Sequence, residues 1–300
     1  MRSGIFTSLI FLCSIAAASA SCGGDDPIPS STTSTSSGVG GVGGVGGMGG
    51  AGGGAGGMGG AGGGAGGMGG AGGGSAAGCS EPTEVACADA IILAMNLKTE
   101  AAPGLIANEA DGTGWRSTID ATAGGFNAPD PHAYVYGRFT ENGLEKVAIS
   151  DEQSLDSMDW DIAFRRYIIR INSADSGPSC VTGARTIPGS TTYEALEEVP
   201  DGLKYFTDDY FTDDSCELKP DGSGLPDSPA TALSSYWVYP TMCVAMTGNV
   251  FVVALKDGRR LKLIVDSYYK DPAAQEACNN KMPKPGSPGA TIGMRWAFLP

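Results

Sequence analysis

Hydrophobic and polar positions alternate with a period of two over much of the chain beyond residue 97. The clearest case is Val250-Phe-Val-Val-Ala-Leu-Lys256, then Asp257-Gly258, then Arg259-Arg-Leu-Lys-Leu-Ile-Val265. Two such runs around an Asp-Gly predict a β-hairpin with a two-residue turn at positive φ. Phe251, Val253 and Leu255 then face one side, as do Leu261, Leu263 and Val265. A last strand places Ile292, Met294, Trp296 and Phe298 on one face and Thr291 and Arg295 on the other. Tyr134-Val-Tyr-Gly-Arg-Phe139 also alternates, and Ile162 to Ile171 is rich in the aromatic and β-branched residues that suit strands. The stretch before these strands differs: a capping residue at Ser80, an early proline and an alanine-rich run predict a helix ending near Leu97. One short N-terminal helix followed by strands describes an antiparallel, all-β protein and not a βαβ one.

Upstream the pattern changes twice. Arg2, the apolar run Ile5 to Ile15 and the small residues Ala16 to Ser21 read as a secretory signal peptide over residues 1–21. Small residues directly before Cys22, then Gly-Gly-Asp-Asp, resemble a bacterial lipoprotein cleavage site, with Cys22 as the lipidated residue and Ser19 where leucine is usual. Plain secretion with cleavage nearby is the alternative. Residues 22–78 read as a disordered tether. Ser and Thr from Ser30 to Ser37 give way to glycine, which fills 26 of the 37 positions from Gly38 to Gly74, and Gly49 to Met58 repeats unchanged as Gly59 to Met68. Such a segment cannot bury enough apolar surface to offset the entropy of ordering it. Its reach as a random coil is roughly 40 Å. Residues 79–300 then form a single β domain.

Charge and residue counts narrow the chemistry. A formal charge of −14 and a pI near 4.4 oppose binding to nucleic acid. His132 is the one histidine, so Ser-His or Cys-His catalysis and histidine-rich metal sites depend on that residue alone. Six cysteines follow the tether: Cys79, Cys87, Cys180, Cys216, Cys243 and Cys278. An even number in an exported chain argues for three disulfides, which allow 15 connectivities, and no Cys-x-x-Cys spacing points to a metal. Cys79 and Cys87 are expected to close a local loop, with the other four left unassigned.

At Trp160-Asp-Ile-Ala-Phe-Arg-Arg-Tyr-Ile-Ile-Arg-Ile-Asn-Ser173 the chain resembles the HmuY-like family of lipid-anchored haem-binding proteins. Further landmarks follow the family's order: Thr118-Ile-Asp-Ala-Thr122, Tyr134 to Phe139, Trp237, the hairpin Val250 to Val265, Asp266-Ser-Tyr-Tyr269 and the final aromatic strand. The resemblance covers about Trp115 to Pro300. It implies two antiparallel sheets with a pocket between long loops or hairpins, a bacterial outer-membrane location, haem or a related porphyrin as cofactor, and hand-over to an outer-membrane receptor. In a haem-binding member of the family two histidines clamp the iron, one after a Pro-Asp-Gly loop and one five residues after the tryptophan, and some relatives use methionine pairs. Here Ser223 follows Pro220-Asp221-Gly222, and Met242 stands five residues after Trp237. A thioether ligates haem iron in some proteins, so the resemblance makes Met242 the first candidate ligand and Met246 the second. Tyr236, Trp237 and Tyr239 are candidates to stack on a flat ligand. The competing reading is a surface or adhesion module that kept the fold without the haem site.

The remaining constellations are weaker. Asp208-Asp209, Asp213-Asp214 and Asp221 carry oxygen ligands of the kind calcium takes, without EF-hand spacing. Asp159 and Asp161 flank Trp160 and could meet a ligand. Gly177-Pro-Ser179-Cys-Val181 lacks the closing glycine of a nucleophile elbow, and the glycine-rich segment opens no strand–helix unit for phosphate. A binding protein is expected, not an enzyme.

Overall fold

The computed structural model describes residues 78–123, 133–212, 215–223, 225, 228–240, 242–282 and 287–300. The expected signal peptide, Cys22, the tether up to residue 77, His132, Asp213 and Asp214 lie outside the described residues.

The chain enters through helix α1 (Ala88–Ala94), followed by β1 (Ile106–Asp111), β2 (Gly114–Asp120), β3 (Val135–Thr140) and β4 (Gly143–Val147). A one-turn helix α2 (Asp151–Ser154) precedes β5 (Ile162–Arg165), β6 (Ile168–Ile171) and β7 (Thr182–Arg185). After a long connection come β8 (Trp237–Val238), β9 (Ala245–Met246), β10 (Val250–Ala254) and β11 (Arg260–Ser267), then α3 (Pro272–Asn279) and β12 (Thr291–Leu299). Among these residues the strands form a six-stranded antiparallel sheet in the order β1-β2-β12-β11-β10-β7, a four-stranded antiparallel sheet in the order β4-β3-β5-β6, and the pair β8-β9. The expected all-β class with two main sheets is the observed one.

The two sheets face each other across the main core. Phe251, Val253, Leu255, Leu261, Leu263, Val265, Ile292, Met294 and Trp296 come from the larger sheet and its hairpin; Val135, Phe139, Ile162, Phe164, Ile169 and Ile171 come from the smaller. The period-two pattern of the hairpin and of the last strand therefore names the buried face correctly. Phe139 and Trp296 meet edge-on at 4.8 Å, and the Trp296 Nε1–H donates to Ser117 Oγ at 2.9 Å. Truncating so large a buried ring costs about 3–5 kcal/mol. The alternate positions Val250 and Val252 are apolar as well, because Tyr193 and Leu196 of the long connection between β7 and β8 cover the outer face there.

The smaller sheet is covered on both sides, which explains why Tyr134, Val135 and Tyr136 are all buried. Its second face, with Tyr134, Tyr136, Trp160 and Ala163, packs against Ile91 and Met95 of the α1 region. Charge is buried in this layer too. Asp151 accepts from the Tyr134 N–H at 2.8 Å and the Tyr136 hydroxyl at 2.9 Å, with Arg165 at 3.8 Å. The guanidiniums of Arg165 and Arg170 lie over the Tyr134 ring at 4.2 and 4.7 Å.

Three local expectations are corrected, and one apolar run is resolved into two strands. The disulfides are Cys79–Cys180, Cys87–Cys216 and Cys243–Cys278, so Cys79 and Cys87 do not pair; each reaches across the fold by more than a hundred residues. The helix starts at Ala88 and not near Ser80, since Cys87 takes φ 57° in its bridge and the Thr83 N–H is held by the Pro178 carbonyl. The run Ile162 to Ile171 is two strands, reversed at Arg166 (φ 54°) and Tyr167, with Phe164 opposite Ile169. The Asp-Gly hairpin has a three-residue loop. The Gly258 N–H donates to the Leu255 carbonyl at 3.0 Å, and Gly258 takes φ 85°, the conformation glycine adopts without a steric cost.

Candidate functional site

A cavity of about 190 Å³ opens beside the β5–β6 reversal. Arg166 and Tyr167 reach it from that turn, Tyr268 and Tyr269 from the end of β11, Tyr239 and Met242 from the segment between β8 and β9, and Leu225 from the long connection. Four phenol rings and a thioether thus line one small space.

The tyrosine pair is held by α3. The buried Gln275 accepts at Oε1 from the Tyr268 N–H (2.8 Å) and the Tyr269 N–H (3.2 Å), and its Nε2–H donates to the Val244 carbonyl (3.1 Å) and to Asn279 Oδ1 (2.9 Å). The Val244 N–H in turn donates to the Tyr269 hydroxyl at 3.0 Å. Cys243–Cys278 fixes the same segment to the same helix covalently. A Cβ at Gly289 would fall 2.4 Å from the Tyr268 ring, so glycine there is what lets that ring pack against the chain. Burial pushes the phenols of Tyr268 and Tyr269 up from their ordinary values. They stay neutral near pH 7 and offer rings and hydroxyls, not tyrosinate.

The candidates named from the sequence separate here. Met242 lines the cavity mouth at 86 % exposure, with φ 59°. Tyr239, 38 % exposed, lines this cavity and a second one next to it. Trp237 is buried, packs on Tyr167 at 5.2 Å between ring centroids, and borders only the second cavity. Tyr236 is buried behind them and its hydroxyl donates to the Tyr167 carbonyl at 2.7 Å. Met246 lies opposite Trp237 in the β8–β9 pair, its N–H held by Asn279, and lines neither cavity.

The acidic candidates disperse. Asp208 is buried, accepting from the Ile171 N–H, the Ala232 N–H and the Ser176 hydroxyl, while Asp209 is exposed and pairs with Lys219 at 2.8 Å. Asp161 is buried and accepts from the Phe139 N–H, whereas Asp159 pairs at the surface with Arg138. Trp160 is a core residue donating to the Ser154 carbonyl. Among the described residues no three His, Cys, Asp or Glu side chains cluster as metal ligands, and no helix is long and apolar enough to cross a membrane.

Sequence reasoning does not single out Tyr167, Tyr268, Tyr269 and Gln275 as site residues. The Tyr-Tyr pair at a strand end was the one available signal, and the contacts that bring it to Tyr167 are about a hundred residues apart in sequence.

The site is a small aromatic recess at the edge of a two-sheet β fold. The family model for the HmuY protein matches residues 130–281, just over half of the 300-residue chain, and the chain belongs to the HmuY family. No curated protein matches. Solved structures similar to it include a Bacteroides vulgatus protein described as HmuY-like and heme-binding, at 16 % identity over 64 % of this chain and 95 % of that one, TM-score 0.39. They also include the apo HmuY analogue of Tannerella forsythia, at 16 % identity over 67 % and 98 %, TM-score 0.33. Apo PinO, given as from Porphyromonas gingivitis, is similar at 14 % identity over 66 % and 96 %, TM-score 0.31.

Proposed function

We propose that the chain is an exported binding protein, attached to the bacterial outer membrane by lipid on Cys22 and spaced from it by residues 22–78. Its β domain, residues 79–300, takes haem or a related porphyrin at the tyrosine-lined cavity and passes it to a membrane receptor. One observation carries this reading. The two loops that the family resemblance singles out, one after Pro220-Asp221-Gly222 and one after Trp237, meet at a single cavity through Leu225 and Met242.

The residue types suit one face of a porphyrin: Met242 supplies a thioether of the kind that ligates iron, the tyrosines supply ring contacts, and Arg166 is the cation at the wall. The volume suits it less. About 190 Å³ is below the roughly 300–1,000 Å³ of sites that enclose a small molecule, so the macrocycle would lie across the mouth and not inside. That volume, with the 86 % exposure of Met242, favours the second reading, a surface module that retains the fold without iron chemistry.

Hemin titration of the oxidised chain, followed in the Soret region in both oxidation states, decides between them. A saturating low-spin spectrum supports the haem reading. A weak shift equal to that given by an unrelated acidic protein leaves the surface module.

A further inference from the structure

The second cavity, about 480 Å³, lies beyond Tyr239 at the sheet edge where β7 ends and β10 begins. Its volume falls within the usual range for small-molecule sites, and its walls differ in chemistry from those of the first. Arg185 projects from the end of β7 into it and, among the described residues, makes no hydrogen bond or ion pair, although the chain carries a net charge of −14. Asn249 donates from Nδ2 to the Ser235 carbonyl at 2.7 Å, which fixes its amide and leaves Oδ1 as an acceptor. Asp221 is fixed by the Ser223 N–H at 2.8 Å and the Ser228 hydroxyl at 2.7 Å, and its carboxylate retains further lone pairs. The hydroxyls of Ser223 and Ser235 have no acceptor among the described residues. Trp237 and Tyr239 add rings to this polar wall.

Fixed amide and carboxylate acceptors, unengaged hydroxyls and adjoining rings are what a pyranose requires, since its edge alternates donors and acceptors and its C–H face is apolar. A lone guanidinium in an acidic protein adds a specific demand for a planar anion, which it pairs in bidentate fashion. We propose that this cavity binds an acidic saccharide, with the carboxylate on Arg185, ring hydroxyls on Asp221 and Asn249, and the ring face toward Tyr239. The inference does not depend on haem binding at the first cavity.

Calorimetric titration of the full chain with tri-galacturonic acid, and with maltotriose as the uncharged control, tests it. The expected result is saturable binding of tri-galacturonate at least tenfold tighter than of maltotriose. Arg185→Gln, at an exposed position, should abolish that preference while leaving the hemin titration unchanged. Equal or non-saturable binding of the two sugars overturns the proposal, as does an Arg185→Gln variant that binds tri-galacturonate like the parent. Displacement of tri-galacturonate by millimolar glycine would assign the cavity to amino-acid zwitterions instead. Loss of hemin binding in Arg185→Gln would make the cavity part of the porphyrin site. Either result also overturns the proposal.

Discussion

The Tyr239 ring stands edge-on to Trp237, centroids 6.4 Å apart and planes at 84°, and forms the wall between the two cavities. Because it serves both, its removal should be felt in both. Tyr239→Ala is expected to weaken hemin and tri-galacturonate about three- to tenfold each, the equivalent of about 0.5–1.5 kcal/mol for an aromatic contact. The thermal midpoint should stay within a few degrees of the parent, since the side chain is already 38 % exposed. A variant that unfolds early would show that Tyr239 holds the fold and not the ligands.

Met242 and Met246 make a matched pair of tests. In the haem reading, Met242→Ala removes the thioether at the cavity mouth and should abolish the low-spin spectrum, while Met246→Ala, at a position lining neither cavity, should leave the hemin titration as it was. The reverse outcome would move the iron site to the β8–β9 pair.

Much of this molecule was legible because period-two alternation records which face of a strand is buried. That rule named the inward residues of β10, β11 and β12, including Trp296 and Leu263. It failed where local composition is silent about distant partners. Nothing near Cys87 reveals that its bridge to Cys216, 129 residues away, sets the start of α1. The chain from Ile162 to Ile171 is apolar on both sides of its reversal, so only the central Arg165-Arg166 pair hinted at a turn. The site was half legible. Met242 is named by its position after Trp237 and Tyr239 as an aromatic able to stack on a flat ligand, but the Tyr268–Tyr269 pair joins them only through Gln275 and the third disulfide, which are tertiary facts.

Asp161 should give the stability curve an unusual slope. Burial, partly offset by the Phe139 N–H, pushes its carboxyl up to about 6 in the folded state, against roughly 3.9 in an unfolded chain. The folded form therefore holds the proton more tightly between those values, and ionisation of this group costs stability as pH rises from about 4 to 6. Asp161→Asn keeps an acceptor for the Phe139 N–H and cannot ionise. Its thermal midpoint should lose that decline, so that the gain over the parent is larger at pH 7 than at pH 4. Parallel curves would refute the assignment.

The disulfides should separate stability from binding. Replacing Cys87 and Cys216 by alanine opens a loop of 129 residues and should cost about 2–5 kcal/mol, read as a lower denaturant midpoint, with hemin affinity preserved in the surviving fold. Replacing Cys243 and Cys278 opens only 35 residues and should cost less stability. It removes the covalent tie between the segment beside Met242 and α3, however, so in the haem reading hemin affinity should fall several-fold. Equal binding by both double variants would show that the third bridge does not shape the site.

Gly78 is followed at once by Cys79, whose N–H is held by the Lys256 carbonyl at 2.9 Å and whose sulfur is bonded to Cys180. Tension applied to the chain from its N-terminal side therefore reaches a covalent cross-link before it reaches any helix or strand. The load passes directly to residue 180, next to β7, and α1 is left slack behind it. A domain wired in this way can be pulled from its N-terminal side without its first turn of structure peeling open.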